Sequence, residues 1–177
     1  MEQLNEILNT SEALFFRVGI KSITMDDIAR ELGMSKKTLY VHVKNKKDLV
    51  EKVIQRYIAN EASFAQNINI DTMNAIDIIV EIINHVHKSI SNLPHSAIYD
   101  LQKYYPKIYA SLKTKQFDVM QDCVIKNLER GIKQGIYRDT LNVEFISRLY
   151  FSGITTIKDN DLFPLKIFSQ NMLMEYY

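Results

Sequence analysis

Apolar residues recur every three or four positions along most of the chain. Residues 2–18 show the first such run, which Gly19 ends: Leu4, Ile7, Leu8, Leu14, Phe15 and Val18. This spacing places one apolar stripe on an α-helix. Similar runs predict helices over 24–32, 35–43, 46–66, 71–92, 94–105, 106–134, 142–157 and 162–176. No segment alternates as a half-buried strand does. The sequence therefore predicts an all-α protein of about nine helices.

The inner faces of two later helices are also predicted. For the fifth helix, which Asp71 is expected to cap, the inner residues are Ile76, Ile79, Val80, Ile83, Val86 and Ile90. For the eighth helix they are Val143, Ile146, Leu149, Tyr150, Gly153, Ile154 and Ile157. The ninth helix carries Leu162, Phe163, Ile167, Leu173 and Met174. Two such apolar helices in each subunit can form a four-helix interface, so we expect a homodimer. The alternative is that both stripes pack within one chain.

Residues 24–43 have the local features of a helix-turn-helix. Thr24 and Asp27 form a capping signal, Gly33 ends the first helix, and Ser35 can cap the second. Leu39 and Val43 lie one turn apart and form the buried stripe of the second helix. Its remaining side chains point outward: Lys36, Lys37, Thr38, Val41 and His42. In this motif the second helix enters the major groove of DNA.

The distribution of charge distinguishes a DNA-binding helix-turn-helix from a helical hairpin that does not bind DNA. Residues 32–47 contain five lysines and no acidic residue, whereas the 177-residue chain has a net charge of only +1. One basic face on a nearly neutral chain suits phosphate contacts. Two alternatives stay open: a solvated charged surface, and a helical protein-interaction module whose basic face binds an acidic partner.

The composition favours a reducing compartment. The single cysteine, Cys123, cannot form an intrachain disulfide. The first residues are acidic and amphipathic, unlike a signal peptide, and no apolar run approaches the ~20 residues of a membrane span. We therefore expect a cytoplasmic protein that does not enter a membrane.

No group of residues predicts catalysis, a metal or a cofactor. His85 and His87 are two positions apart and point in different directions on a helix. No activating motif surrounds Cys123, and no phosphate-binding glycine loop is present. An enzyme therefore has no positive support, and we expect no cofactor.

Residues 1 to about 50 resemble the DNA-binding domain of the TetR family of bacterial transcriptional regulators. The string from Thr38 to Lys46 follows that family's recognition-helix signature, and Phe15–Gly19 and Thr24 also match. The sequence departs at Val43, where the family usually has an aromatic residue. The resemblance implies a DNA-binding domain over 1–46 and a helical effector-binding and dimerisation domain over 47–177.

The resemblance also implies roles for individual residues. Thr24, Tyr40 and Lys46 match phosphate-contacting positions. Residues at positions that face bases or the adjacent backbone are Ser35, Lys36, Lys37, Thr38, Val41 and His42. Asp26 stands where some members have a base-reading arginine, so no base contact is expected there.

Aromatic residues near a proline break suggest an effector pocket. The Tyr104-Tyr105-Pro106 break interrupts regular packing beside a broad apolar face. The candidate ligand-binding residues are Tyr99, Tyr105, Tyr109, Phe117 and Met120. They suit a small apolar or aromatic effector, although ordinary core packing is the alternative. The expectation is a repressor that binds a palindromic double-stranded DNA operator as a homodimer and is released by such a ligand.

Overall fold

A computed structural model describes residues 2–67, 72–92, 94–157, 159, 161–164, 166–169 and 172–173. Within these residues the fold consists of eight helices: α1 Glu2–Val18, α2 Met25–Glu31, α3 Lys36–His42, α4 Lys46–Asn67, α5 Ala75–Asn92, α6 His95–Tyr104, α7 Pro106–Lys133 and α8 Val143–Thr156. The all-α prediction is confirmed, with eight helices in the described residues in place of the nine expected.

The difference lies after α8, where a ninth helix was expected over 162–176. The described residues of 161–169 form turns, and Leu162 and Ile167 are exposed. The Asp159 carboxylate accepts hydrogen bonds from the backbone N–H groups of Asp161 and Leu162. Pro164 follows and disfavours helical backbone in the residue before it. Met174 lies outside the described residues.

The chain divides into two compact units. The first comprises residues 1–61 and 92–115, and the second comprises residues 62–91 and 116–177. The two units are defined by how their residues pack, whereas the predicted boundary between residues 46 and 47 separates a DNA-binding domain from an effector-binding and dimerisation domain. That boundary therefore stays a prediction.

The core of the first unit joins the N-terminal helices to α6 and the start of α7. Phe15, Ile28, Leu39, Leu49 and Leu101 are all at most 1% exposed and belong to one cluster. Burying side chains of this size contributes about 1.5–3 kcal/mol each. The helix-turn-helix is thus fixed on a continuous apolar core.

The second unit has a smaller core in which Ile78, Ile82 and Ile154 are buried. The predicted inner face of α5 is therefore only partly correct: Ile79 packs against this core, whereas Ile76 and Val80 are 45% and 47% exposed. Isoleucine and valine side chains lie on several sides of α5 itself, so its sequence is compatible with more than one buried stripe. The side chains of Val86 and Ile90 are not among those that the structure describes.

Polar side chains hold the first turn of α5. The helix begins after Asn74, whose Oδ1 accepts hydrogen bonds from the backbone N–H groups of Ile76 and Asp77. The expected cap, Asp71, lies outside the described residues. Asn127 Nδ2 donates to the Ala75 carbonyl at 2.7 Å, and the Tyr137 hydroxyl donates to the same oxygen at 3.2 Å. These bonds satisfy buried polar groups of α5 and α7.

Candidate nucleic-acid interface

The start of α2 is fixed by a reciprocal capping box. Thr24 Oγ1 accepts a hydrogen bond from the Asp27 backbone N–H at 3.1 Å, and Asp27 Oδ2 accepts one from the Thr24 backbone N–H at 2.9 Å. The hydrogen bonds that Asp27 Oδ2 accepts from the Thr24 hydroxyl and from the Thr24 backbone N–H stabilise the ionised carboxylate and lower the pKa of Asp27. The predicted cap at Thr24 is confirmed. This cap lies at the N-terminal end of α2, where Thr24 is exposed.

The turn between α2 and α3 depends on Gly33. Its φ of +61° lies in the left-handed region, where a side chain introduces strain. The following residue closes the turn, because the Met34 N–H donates to the Ala29 carbonyl at 3.0 Å. The glycine predicted to end the first helix of the motif therefore sets the direction of α3.

The recognition helix α3 has one buried face and one accessible face. Ser35 Oγ caps it by accepting a hydrogen bond from the Thr38 backbone N–H at 3.0 Å. Leu39 and Val43 are 0% and 2% exposed, as predicted, so valine fills the core position where the family has an aromatic residue. On the other side, Val41 is 76% exposed and Tyr40 42%.

Most of the predicted DNA-binding residues of α3 are accessible to a ligand. Ser35, Lys36 and Lys37 are exposed, and Thr38 and His42 are half-buried. The Ser35 and Thr38 hydroxyls lie 2.8 Å apart. This arrangement offers hydroxyl, ammonium and apolar groups on one short helix, which are the groups that read base edges in the major groove.

Two of these side chains already have partners within the chain. Lys36 Nζ lies 3.0 Å from Asp26 Oδ2, and this ion pair raises the pKa of Lys36. His42 Nε2 lies 3.1 Å from Gln3 Oε1 of α1. Both contacts are solvent-exposed, so water and salt weaken them and a phosphate can replace them.

Lys46 lies where α4 begins. Its Nζ donates to the Lys21 carbonyl at 3.1 Å, so the side chain crosses to the loop between α1 and α2. Partial burial lowers the pKa of Lys46, while the carboxylates of Asp100 and Asp27 act in the opposite direction. Asn45 caps α4 through a 2.9 Å hydrogen bond from the Asp48 N–H. Together, α2, α3 and the start of α4 bring the whole predicted DNA-binding set into the first unit.

The predicted ligand-binding residues are divided between the two units. Tyr105 and Tyr109 pack against the core of the first unit, and Tyr99 is 55% exposed. Phe117 makes an edge-to-face contact with Phe151, with ring centroids 5.0 Å apart, in the second unit. Met120 packs against the core of that unit. Their joint role in binding an effector stays a prediction.

Other features add nothing to a catalytic interpretation. In the described ranges, no three histidine, cysteine or acidic side chains are placed to hold a metal ion. The side chain of His87 is not among those that the structure describes. Burial raises the pKa of the Cys123 thiol, so the reactive thiolate is disfavoured. None of the helices in the described part of the chain is long and apolar enough to cross a membrane.

Lys21 and Asp100 were not singled out from the sequence, yet both lie close to Lys46. Lys103 was also not singled out, and it shares the Tyr104 ring with Lys21. The Lys21 N–H donates to Asp100 Oδ2 at 2.8 Å, although the two residues are 79 positions apart. Local spacing carries no signal for such a contact. It depends on how α6 packs against the α1–α2 loop.

Known proteins with similar sequences are regulators. The sequence profile of bacterial regulatory proteins of the tetR family matches residues 7–53. An uncharacterised HTH-type transcriptional regulator, YvaF, of Bacillus subtilis (strain 168) is 25% identical over 146 residues, which are 82% of this chain and 75% of that protein. An HTH-type transcriptional regulator of Staphylococcus aureus (strain USA300) is 44% identical over 55 residues, covering 31% of this chain and 30% of its relative.

A solved structure shares the fold of nearly the whole chain. A transcriptional regulator from Cytophaga hutchinsonii ATCC 33406 superimposes with a TM-score of 0.80 at 18% identity, covering 99% of this chain and 93% of the other. At that identity the likeness concerns the fold. The profile match and the regulator relatives coincide with the capped helix-turn-helix described above. The helix-turn-helix domain matches that of the tetR family of bacterial regulatory proteins, and the chain is a DNA-binding transcriptional regulator, not an enzyme.

Proposed function

We propose that this regulator is a repressor that binds a palindromic operator as a homodimer and leaves it when a small apolar ligand binds. The accessible face of α3 carries the proposal, because side-chain caps at the start of α2 and at the start of α3 fix the motif on a buried core. In this proposal residues 1–46 bind DNA, and residues 47–177 bind the effector and form the dimer. We place the protein in the cytoplasm.

The contacts to DNA divide by chemistry. Thr24, Tyr40 and Lys46 contact phosphates, where a hydroxyl or an ammonium group is sufficient. Lys37 can donate to guanine acceptors, and Thr38 or Val41 can pack against a thymine methyl. Ser35, Lys36 and His42 complete the set, at positions that face bases or the neighbouring backbone.

Release by a ligand follows from the geometry of two half-sites. A dimer reads successive major grooves when its two recognition helices are about 34 Å apart. A ligand that binds better to a dimer with a different spacing shifts the population away from the DNA-bound form. We assign the ligand to the surroundings of Tyr99, Tyr105, Tyr109, Phe117 and Met120, whose rings and thioether suit an apolar body.

The second candidate function is a protein-interaction module with a basic face. Its support is the five lysines of residues 32–47. The match of residues 7–53 to a DNA-binding family favours DNA as the partner.

Selection of bound duplexes from random DNA tests the proposal. We expect an enriched sequence with twofold symmetry, and we expect binding to weaken steeply as salt rises. The control variant is Lys126→Ala, which removes an exposed lysine of the second unit and should leave selection unchanged. Recovery of no preferred sequence, together with binding to acidic proteins, would support the interaction module. Apolar compounds are then screened for release of the selected duplex.

A further inference from the structure

Two lysines and two tyrosines form an exposed group on α6 and the α1–α2 loop, here called the α6 basic cluster: Lys21, Tyr99, Lys103 and Tyr104. Lys21 Nζ lies 5.0 Å from the centroid of the Tyr104 ring. Lys103 Nζ lies 5.6 Å from the same ring and 5.2 Å from the Tyr99 ring. Its ammonium group also donates to the Tyr99 hydroxyl at 2.9 Å. Rings in this position attract cations and hold both ammonium groups near one another.

The rings position these charges without neutralising them. Six other cations of the described residues are paired with carboxylates: Arg30, Lys36, Lys52, Arg56, Lys126 and Arg148. In the same part of the chain, no carboxylate is ion-paired with Lys21 or Lys103. Hydrogen bonding to Tyr104 and Tyr99 raises the pKa values of Lys21 and Lys103, respectively, so both stay charged at neutral pH. Lys21 and Lys103 also lower the pKa of Tyr104, as expected beside positive charge.

The cluster is continuous with the proposed DNA-binding surface. Lys46 Nζ reaches the Lys21 carbonyl, and the Lys21 N–H is held by the carboxylate of Asp100 on α6. Asp100 is only 9% exposed, so this bond fixes α6 against the loop. Gly19 allows the close approach, since a Cβ there would lie 3.2 Å from Asp100 Oδ2 and its φ is +101°. Lys46, Lys21 and Lys103 therefore follow one another across three segments of one compact unit.

We propose that Lys21 and Lys103 are additional phosphate contacts, which extend the DNA interface from the helix-turn-helix onto α6. Like charges held together repel one another in the free protein, and a phosphate between them removes that repulsion. Double-stranded DNA supplies one phosphate charge for about every 1.7 Å of its axis, so a row of ammonium groups can bind successive phosphates. Continuity with Lys46 favours DNA over an acidic protein as the partner. This inference rests on the proposed DNA-binding function.

The experiment measures affinity against salt for the intact protein. The first duplex carries the selected operator with about one helical turn, ~10 base pairs, added on each side. The second has the same length and a scrambled sequence. The variants are Lys21→Gln and Lys103→Gln, with Lys103→Arg as the charge-preserving control and Lys126→Gln as the matched surface control. All four substitutions are at exposed side chains.

Removing one lysine–phosphate interaction should flatten the plot of log affinity against log salt by about 0.9, and by about twice that when both subunits of a dimer are affected. We expect this change for both glutamine variants on both duplexes, with base preference unchanged. Lys103→Arg and Lys126→Gln should keep the wild-type slope. Wild-type slopes for Lys21→Gln and Lys103→Gln would overturn the inference and leave operator binding intact. A wild-type protein without salt-dependent binding would instead contradict the proposed function.

Discussion

At the scale of single residues, the interface contains side chains that can hold DNA and side chains that can read it. Lys46 and Tyr40 are assigned to phosphates, which are identical at every base pair. Lys37 and Thr38 lie on the exposed side of α3, where ammonium and hydroxyl groups can reach base edges. Substitutions in the two groups should therefore differ in kind as well as in size.

We predict that Lys46→Ala and Tyr40→Phe weaken binding to all duplexes, whereas Lys37→Ala and Thr38→Ala change the preferred sequence. Lys46→Ala should reduce the salt dependence of log affinity by about 0.9 for each phosphate that the lysine no longer neutralises. The other pair should reduce discrimination at one base position by about 1–3 kcal/mol. Fluorescence anisotropy with a set of single-base operator variants measures both effects.

Lys126→Ala provides a matched control, because Lys126 is an exposed lysine of the second unit with no assigned DNA contact. Its salt dependence and base preference should equal those of the wild type. An unchanged salt dependence for folded Lys46→Ala would contradict the phosphate assignment. Retained base preference in both Lys37→Ala and Thr38→Ala would contradict the assignment of base reading to α3.

Residue-level features with local causes could be predicted from the sequence. The caps at Thr24, Ser35 and Asn45 each depend on a partner three positions away, and each is present. The left-handed Gly33 depends only on its own backbone. By contrast, the contact between Lys21 and Asp100 joins residues far apart in the chain, so no local sequence pattern predicts it.

At the scale of elements, the position of a helix was easier to predict than the face that it buries. The phase of α1 and α3 was correct, apart from the exposed Val18 at the end of α1, because polar residues confine the apolar stripe to one side. On α5, isoleucines at 76, 78, 79, 82 and 83 make several stripes possible. The choice among them depends on the neighbours, since Ala75 is held by Asn127, Gln134 and Tyr137.

We predict that Gly131→Ala destabilises the protein by about 1–3 kcal/mol, although alanine normally stabilises a helix relative to glycine. A Cβ at position 131 would lie 2.0 Å from Cδ2 of the Tyr137 ring. The ring would have to move, and its hydroxyl would no longer bond to Ala75 O and Asn127 Oδ1. Urea unfolding followed by far-ultraviolet circular dichroism measures the change, since the chain has no tryptophan.

The double variant Gly131→Ala/Tyr137→Ala tests the cause. Without the ring, the added methyl group meets no clash with Tyr137, so the two losses of stability should not add. Full additivity, or a Gly131→Ala protein as stable as the wild type, would contradict the close packing of Tyr137 on Gly131.

At the scale of the whole molecule, the all-helical class and the family followed from the sequence, whereas the distribution of residues between the two packed units did not. Helix α7 contributes to both units, so Tyr109 and Met120 lie in different units despite sharing one helix. Similarly, Tyr150 and Ile154 of the predicted dimer stripe pack in the core of their own unit. Leu149 and Phe145 instead point outward at 57% and 61% exposure.

We predict that the protein is a dimer at micromolar concentration and that α8 forms part of the interface. Phe145 and Leu149 lie one helical turn apart, so together they present a large apolar surface that a second copy can bury. Leu149→Glu or Phe145→Glu would place a carboxylate in that interface. Each should raise the dissociation constant of the dimer at least about tenfold, which corresponds to about 1.4 kcal/mol.

Val18→Glu, at a 48% exposed position of α1, is the matched control. Sedimentation velocity should show a dimer for the wild type and Val18→Glu, and a shift toward monomer for both α8 variants. The same variants should lose affinity for a two-half-site operator, because a monomer engages only one half-site. A monomeric wild type, or α8 variants that remain as dimeric as Val18→Glu, would show that this face of α8 does not hold two copies together.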